Sequence, residues 1–127
     1  MQEKHQFEYA VIRIVPRVER EEFLNVGVII YSASEKYLGC MFKIDERKLL
    51  AFAKEPDIEE YKQRLLAFEY ICAGSDNSGE IGKLPISSRF RWLTSRRSTV
   101  IQISPVHPGL CMNAKETLLH LYTQLVV

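Results

Sequence analysis

The stretch FLNVGVIIYSA, Phe23–Ala33, decides the fold, because its periodicity separates strand from helix. Its even positions, Leu24, Val26, Val28 and Ile30, are all branched aliphatics, and a period of two marks a strand with a buried face. The odd positions read Phe23, Asn25, Gly27, Ile29 and Tyr31, so an amide and a bare backbone interrupt a β-favouring run. Glycine inside a strand costs roughly 0.5–1 kcal/mol against alanine, so Gly27 needs a reason. Two reasons stand open. One is a bulge, or a close crossing above Gly27; the other is a shallow pocket floored by Gly27 and lined by Asn25, Tyr9 and Arg13.

Working outward, Glu8–Pro16 reads as a preceding strand, with Tyr9, Val11, Arg13 and Val15 on one face and Ala10, Ile12 and Ile14 on the other. The charged run RVEREE forms the turn between them. After the polar cluster SASEK the chain returns through Lys36–Ile44, whose even positions Leu38, Cys40, Phe42 and Ile44 continue the apolar face. Three strands agreeing on one face predict an antiparallel meander with helices packed on that side. Asp45–Ala53 reads as a short helix ended before Pro56. A longer one follows, with Asp57 as N-cap, Ile58, Tyr61, Leu65, Phe68 and Cys72 at spacings of three and four, and Gly74 as the stop. Gly74–Pro85 reads as an internal loop, Ser98–Ser104 as a fourth strand, and Asn113 as the cap of a last helix with a stripe of Leu118, Leu121, Tyr122 and Leu125. The expectation is an α+β fold in a single domain, residues 1–127: a three-stranded meander, a later fourth strand, and two main helices on one face.

Composition bounds the class. An apolar fraction of 46% and a charged fraction of 26% over 127 residues are those of an ordinary globular domain. The longest apolar run, Val26–Tyr31, is too short to span a bilayer, and MQEKHQFEY lacks a signal-peptide layout. Cys40, Cys72 and Cys111 are scattered, without a CxxC, which suits a reduced, cytoplasmic setting with no membrane association.

The net charge of +1 conceals an asymmetry. Residues 55–80 hold seven acids against Lys62 and Arg64, whereas residues 81–127 hold six bases against Glu116 alone. The basic block concentrates in SSRFRWLTSRRSTV, Ser87–Val100, where Arg89, Arg91, Arg96 and Arg97 surround Phe90 and Trp92. Guanidinium forks bind phosphate or carboxylate in a bidentate way, and interleaved aromatics can stack. The alternative is internal: the aromatics anchor the core while the arginines pair with the acidic helix at 57–69. Nucleic acid is the weaker choice of partner, because the overall charge is near zero and no RNA-binding motif is present.

Catalytic signals are faint. The one close nucleophile–base pair is Cys111 with His107 in SPVHPGLCMN, and sequence proximity alone supplies no hydrogen-bond geometry. No carboxylate near His107 completes a metal site, and no glycine loop is built for phosphate, so neither a cofactor nor a metal is expected.

YAVIRIVPRVEREEFLNVGVII and RWLTSRRSTVIQISPVHPGL together resemble a bacterial family known only as domain of unknown function three-thousand-thirty-seven. In the first motif a strand ending at Pro16 is followed by Glu22 and Phe23, then Asn25, Val26, Gly27 and Val28. The second pairs Thr94, Arg97 and Ser98 with Ile101 and Gln102 before Pro105. The resemblance runs from about Glu8 to Val127. Its members are often encoded beside a HipA-like protein kinase, which implies a partner role in a toxin–antitoxin-like pair. Two functions follow as expectations. The first is a non-enzymatic accessory protein that binds a protein partner, a HipA-like kinase, through the Arg89–Arg97 region and the odd face of the second strand. The second is a small enzyme or nucleic-acid-processing protein that gathers Arg13, Asn25, Arg96 and Arg97 around a phosphate.

Overall fold

A computed structural model describes residues 4–16, 22–52, 56–95 and 99–127. Three long strands come first: β1 (His5–Ile14), β2 (Leu24–Ser32) and β3 (Tyr37–Phe42). Two helices follow, α1 (Glu46–Phe52) and α2 (Ile58–Ala73), then two 3-10 turns at Asp76–Ser78 and Ile81–Lys83, and then α3 (Ile86–Leu93). Two short strands, β4 (Ile101–Ile103) and β5 (His107–Cys111), lead into α4 (Ala114–Leu125). Every pairing is antiparallel, in the order β3-β2-β1-β4, with β5 joining β4's side of β1. The α+β class and the meander are as the apolar alternation predicted. Among the described residues no helix is long and apolar enough to cross a membrane.

Local signals explain the long helices. Asp57 accepts a hydrogen bond from Glu60 N at 3.1 Å, satisfying one of the orphan donors at the start of α2. Gly74, with φ 66° and ψ 34°, ends α2 in the left-handed conformation that glycine adopts without strain. Asn113 caps α4 in the same manner as Asp57, accepting from Glu116 N at 3.0 Å.

The β2 pattern is interrupted beside Gly27. Ile12 lies opposite Gly27 but Arg13 lies opposite Asn25, so Val26 is an extra residue in a β-bulge. Below the bulge, Leu24 and Val26 join the cluster of Ala10, Ile12, Ile14, Leu38 and Phe42. Above it, Val28 and Ile30 join the opposite cluster with Phe7, Tyr37 and Met41, and Ile29 and Tyr31 take over the first face. The expectation that Leu24, Val26, Val28 and Ile30 share one face is therefore corrected. A strict period of two cannot survive an inserted residue.

The same bulge corrects the placement of the helices. Tyr61, Leu65, Phe68 and Cys72 of α2, with Phe90 and Leu93 of α3, pack on the face of Ala10, Ile12 and Ile29. Leu118, Leu121, Tyr122 and Leu125 of α4 pack on the other face, over Val28 and Ile30. The sheet is thus covered from both sides rather than one, which is why β2 holds an almost unbroken buried run from Val26 to Ile30. The fourth strand is shorter than expected; Ser98 lies outside the described residues, as do 17–21 of the first turn and Ala53 of the first short helix. β5 and α3 carried no expectation.

Candidate functional site

α3 carries Arg89 and Arg91 of the arginine cluster, and a helix points successive residues in different directions. Phe90 and Leu93 face the core. Arg89 reaches α2, where its Nη1 donates to Ile71 O at 3.0 Å and to Cys72 O at 3.1 Å. These carbonyls belong to the last turn of α2, where Ile71 O also accepts from the C-cap Gly74 N at 3.1 Å, and the helix dipole there favours a cation. Gly74 leaves the room: a Cβ on it would lie 2.5 Å from Arg89 Nη1. Arg89 is therefore a cap rather than a surface charge, and it binds backbone, not the carboxylates of the acidic helix. Of those carboxylates, Glu60 pairs with Arg64 of its own helix at 3.0 Å.

Arg91 leaves α3 on another side and grips Glu8 of β1, Nη2 donating to Oε1 at 2.8 Å and Nη1 to Oε2. The hydrogen bond from Arg91 holds the Glu8 carboxyl below its usual range, although partial burial works against this. Reciprocally, Glu8 raises Arg91. Arg96 and Arg97 lie outside the described residues.

Arg13 and Asn25 are cross-strand neighbours on the α4 side of the sheet. The Arg13 guanidinium sits 4.0 Å from the Phe23 ring centroid, a cation–π contact, and Asn25 Nδ2 donates to Leu125 O at 3.2 Å. Among the described residues Arg13 Nε and Asn25 Oδ1 are buried without a hydrogen-bond partner. The pocket floored by Gly27 is not there. Gly27 turns to the opposite face at the bulge, where an added Cβ would stand 2.5 Å from Met41 O and 2.7 Å from Phe42 Cβ. Gly27 is the close-crossing kind of glycine, and α4 covers Asn25. Arg13 and Asn25 thus lie on the sheet face opposite Arg89 and Arg91, and the described members of the candidate set do not converge.

Beside Glu8, the partner of Arg91, lies a groove of about 490 Å³ over the first half of β1. Gln6, Glu8, Tyr31, Pro108 and Leu110 line it. Tyr31 is held firm by stacking on Phe90, with ring centroids 5.3 Å apart. Leu110 is 62% exposed, and the Glu8–Arg91 pair sets a polar rim beside this apolar floor. The sequence hid this groove because its wall is β5, and HPGLC carries the proline and glycine of a loop. Pro108 is tolerated there because β5 is an edge strand.

The chemistry of the remaining reactive groups is quiet. His107 and Cys111 pair with Tyr9 and His5 respectively, at opposite ends of β5, and four strand residues span about 13 Å. Burial pushes the Cys111 thiol up, with Thr117 opposing and Glu35 adding to the rise, away from a reactive thiolate. The Cys40 thiol is pushed up by its hydrogen bond with Cys72 and by burial. Among the described residues no group of three or more His, Cys, Asp or Glu side chains could hold a metal ion.

No curated protein and no solved structure matches this chain. A family model does match, over residues 9–126, nearly the whole of the sequence and both of its motifs. The chain belongs to the family described as "Protein of unknown function (DUF3037)".

Proposed function

We propose that this chain is a non-enzymatic accessory protein, and that the groove beside Glu8 and Arg91 receives an apolar segment of a protein partner. The observation that carries this reading is the groove itself: about 490 Å³ of open space with Tyr31 and Leu110 on its walls and an ion pair at its rim. An exposed leucine beside a rigid aromatic is the composition of a contact surface, since burying such a side chain stabilises a complex by about 1.5–3 kcal/mol. The rival reading, a phosphate-processing site, would need Arg96 and Arg97 beside the neighbouring Arg13 and Asn25, and both of those arginines lie outside the described residues. A HipA-like kinase as the partner rests on the gene neighbourhood that the family resemblance implies.

The test is calorimetric titration of this chain against the HipA-like kinase encoded beside it, with Leu110→Asp as the variant. The expected result is binding by the unmodified chain and at least a tenfold loss for Leu110→Asp, about 1.4 kcal/mol, at unchanged melting temperature. Equal binding by Leu110→Asp removes the groove from the reading. Absence of binding by the unmodified chain removes the kinase.

A further inference from the structure

The three cysteines divide between the two faces of the sheet. Cys72 belongs to the core cluster under α2, and Cys40 packs against that cluster from β3. Cys111 belongs to the cluster under α4, on the far face. The sheet therefore sets Cys111 apart and leaves Cys40 and Cys72 as the pair that shares a side. Both carry free thiols, and these are hydrogen-bonded to each other. The contact is a product of tertiary packing, because residues 41–71, with all of α1, lie between the two in sequence. Cys72 closes the buried stripe of Tyr61, Leu65 and Phe68, and Cys40 stands between Leu38 and Phe42 on the alternate positions of β3 that meet the same cluster.

A single cysteine in such a place needs no explanation beyond its size, since it behaves as a small hydrophobe. Two thiols in contact have a chemistry that one lacks: oxidation joins them without a second molecule. The pair is also reachable from one end. Cys72 is buried, whereas Cys40 is half-buried on an edge strand held by β2 alone. Cys72 lies in the last turn of α2, just before Gly74 ends the helix. Neither backbone is gripped from both sides, which leaves room to bring the sulfurs from contact to a bond.

We infer that Cys40 and Cys72 form a reversible disulfide when the chain meets a peroxide. Cys40 gives up its proton and its sulfur attacks one peroxide oxygen; the O–O bond breaks, and the departing hydroxide takes a proton to become water. Cys40 is then a sulfenic acid. The Cys72 sulfur attacks the Cys40 sulfur, the S–O bond breaks, and that hydroxide leaves with the Cys72 proton as a second water. Two thiols lose two electrons and two protons in all, and one peroxide becomes two waters. The hydrogen bond with Cys72 and burial keep the Cys40 thiolate scarce, so the bond forms slowly, under sustained rather than passing exposure. Once formed, it ties the edge strand to α2 and closes residues 40–72 into a loop, which restricts the unfolded chain. Neither cysteine lines the groove beside Glu8, so the disulfide stands or falls independently of the proposed function.

The experiment treats the whole folded chain, freed of reductant, with excess hydrogen peroxide, and reads intact mass, free thiols and linked proteolytic fragments. The expected product is a monomer lighter by two hydrogens, with Cys40 and Cys72 in one linked fragment, Cys111 free, a raised melting temperature, and full reversal by dithiothreitol. Cys111→Ser is expected to lose the same two thiols, and Cys40→Ser and Cys72→Ser to form no internal link. If Cys72→Ser fails to fold, Cys40→Ser and the fragments of the unmodified chain decide. Three free thiols after prolonged treatment overturn the inference. So does a link that includes Cys111 or a second chain, a Cys40 that gains oxygen without becoming linked, or a Cys40–Cys72 link that forms only in denaturant.

Discussion

Arg91 closes both terminal nitrogens of its guanidinium onto the carboxylate of Glu8, 83 residues earlier in the chain. The pair ties the outer side of α3 to the middle of β1 and forms the polar rim of the groove. Arg91 is 58% exposed and Glu8 32%, so water screens the attraction. A pair of this kind contributes about 0–1 kcal/mol, small enough that its first role is to fix α3 in place.

The pH dependence of that contribution has a definite sign. Glu8 is held below its usual range in the folded protein, so its stabilisation is complete above the ordinary glutamate pKa of about 4.3 and fades as pH falls through the folded value. The melting temperature of the unmodified chain is expected to exceed that of Glu8→Gln by a constant margin above about pH 5. That margin should close in more acidic buffer. A margin that persists at low pH would mean the ion pair contributes nothing to folding.

Gly27→Val is expected to lower the melting temperature, and Gly27→Ala to do so less. Each introduces a Cβ that must push against Met41 O and Phe42 Cβ, which stand 2.5 and 2.7 Å from its place. Overpacking of this sort costs about 1–3 kcal/mol. In an unconstrained strand valine is favoured over glycine, so a stabilised Gly27→Val protein would show that the bulge is not there.

Val28 tests which face the upper half of β2 presents. It is fully buried beneath α4, so Val28→Asp should leave an unpaired charge and abolish folding. The sharper measurement is a pair of double-mutant cycles. Val28→Ala is expected to couple with Leu118→Ala by about 0.5 kcal/mol or more and to be additive with Leu65→Ala within about 0.3–0.5 kcal/mol. Coupling to Leu65 instead would return Val28 to the face of α2.

Arg89→Ala should behave as the loss of a helix cap. The carbonyls of Ile71 and Cys72 lose a charged donor, at a cost of about 1–3 kcal/mol, while affinity for a polyanion such as heparin stays unchanged. An Arg89→Ala protein with unaltered melting and weakened heparin binding would place this guanidinium in an anion-binding patch.

Where cause and effect lie close in the chain, the sequence was sufficient. Asp57 and Asn113 are caps because their side chains reach a backbone N–H three residues on, and Gly74 stops α2 because it alone enters the left-handed region there at no cost. The alternation of Ala10, Ile12 and Ile14 in β1, and of Leu38, Cys40 and Phe42 in β3, was sufficient to predict strands with an apolar face. Even Gly27 announced itself as a position with a reason behind it. Which reason was a tertiary matter. The bulge exists because Asn25, Val26 and Gly27 must fit opposite Ile12 and Arg13, and it moves Val28 and Ile30 to the far face. Composition cannot show that move, because both faces of β2 are apolar and either assignment satisfies the hydrophobic pattern. The arginines show the same division. Their identities say only that each needs an acceptor; the carbonyls of α2 became the acceptor of Arg89, and Glu8 that of Arg91, when α3 was packed against both α2 and the sheet. A guanidinium carries one charge wherever it lies, and its role is set by whichever oxygen the fold brings within about 3 Å.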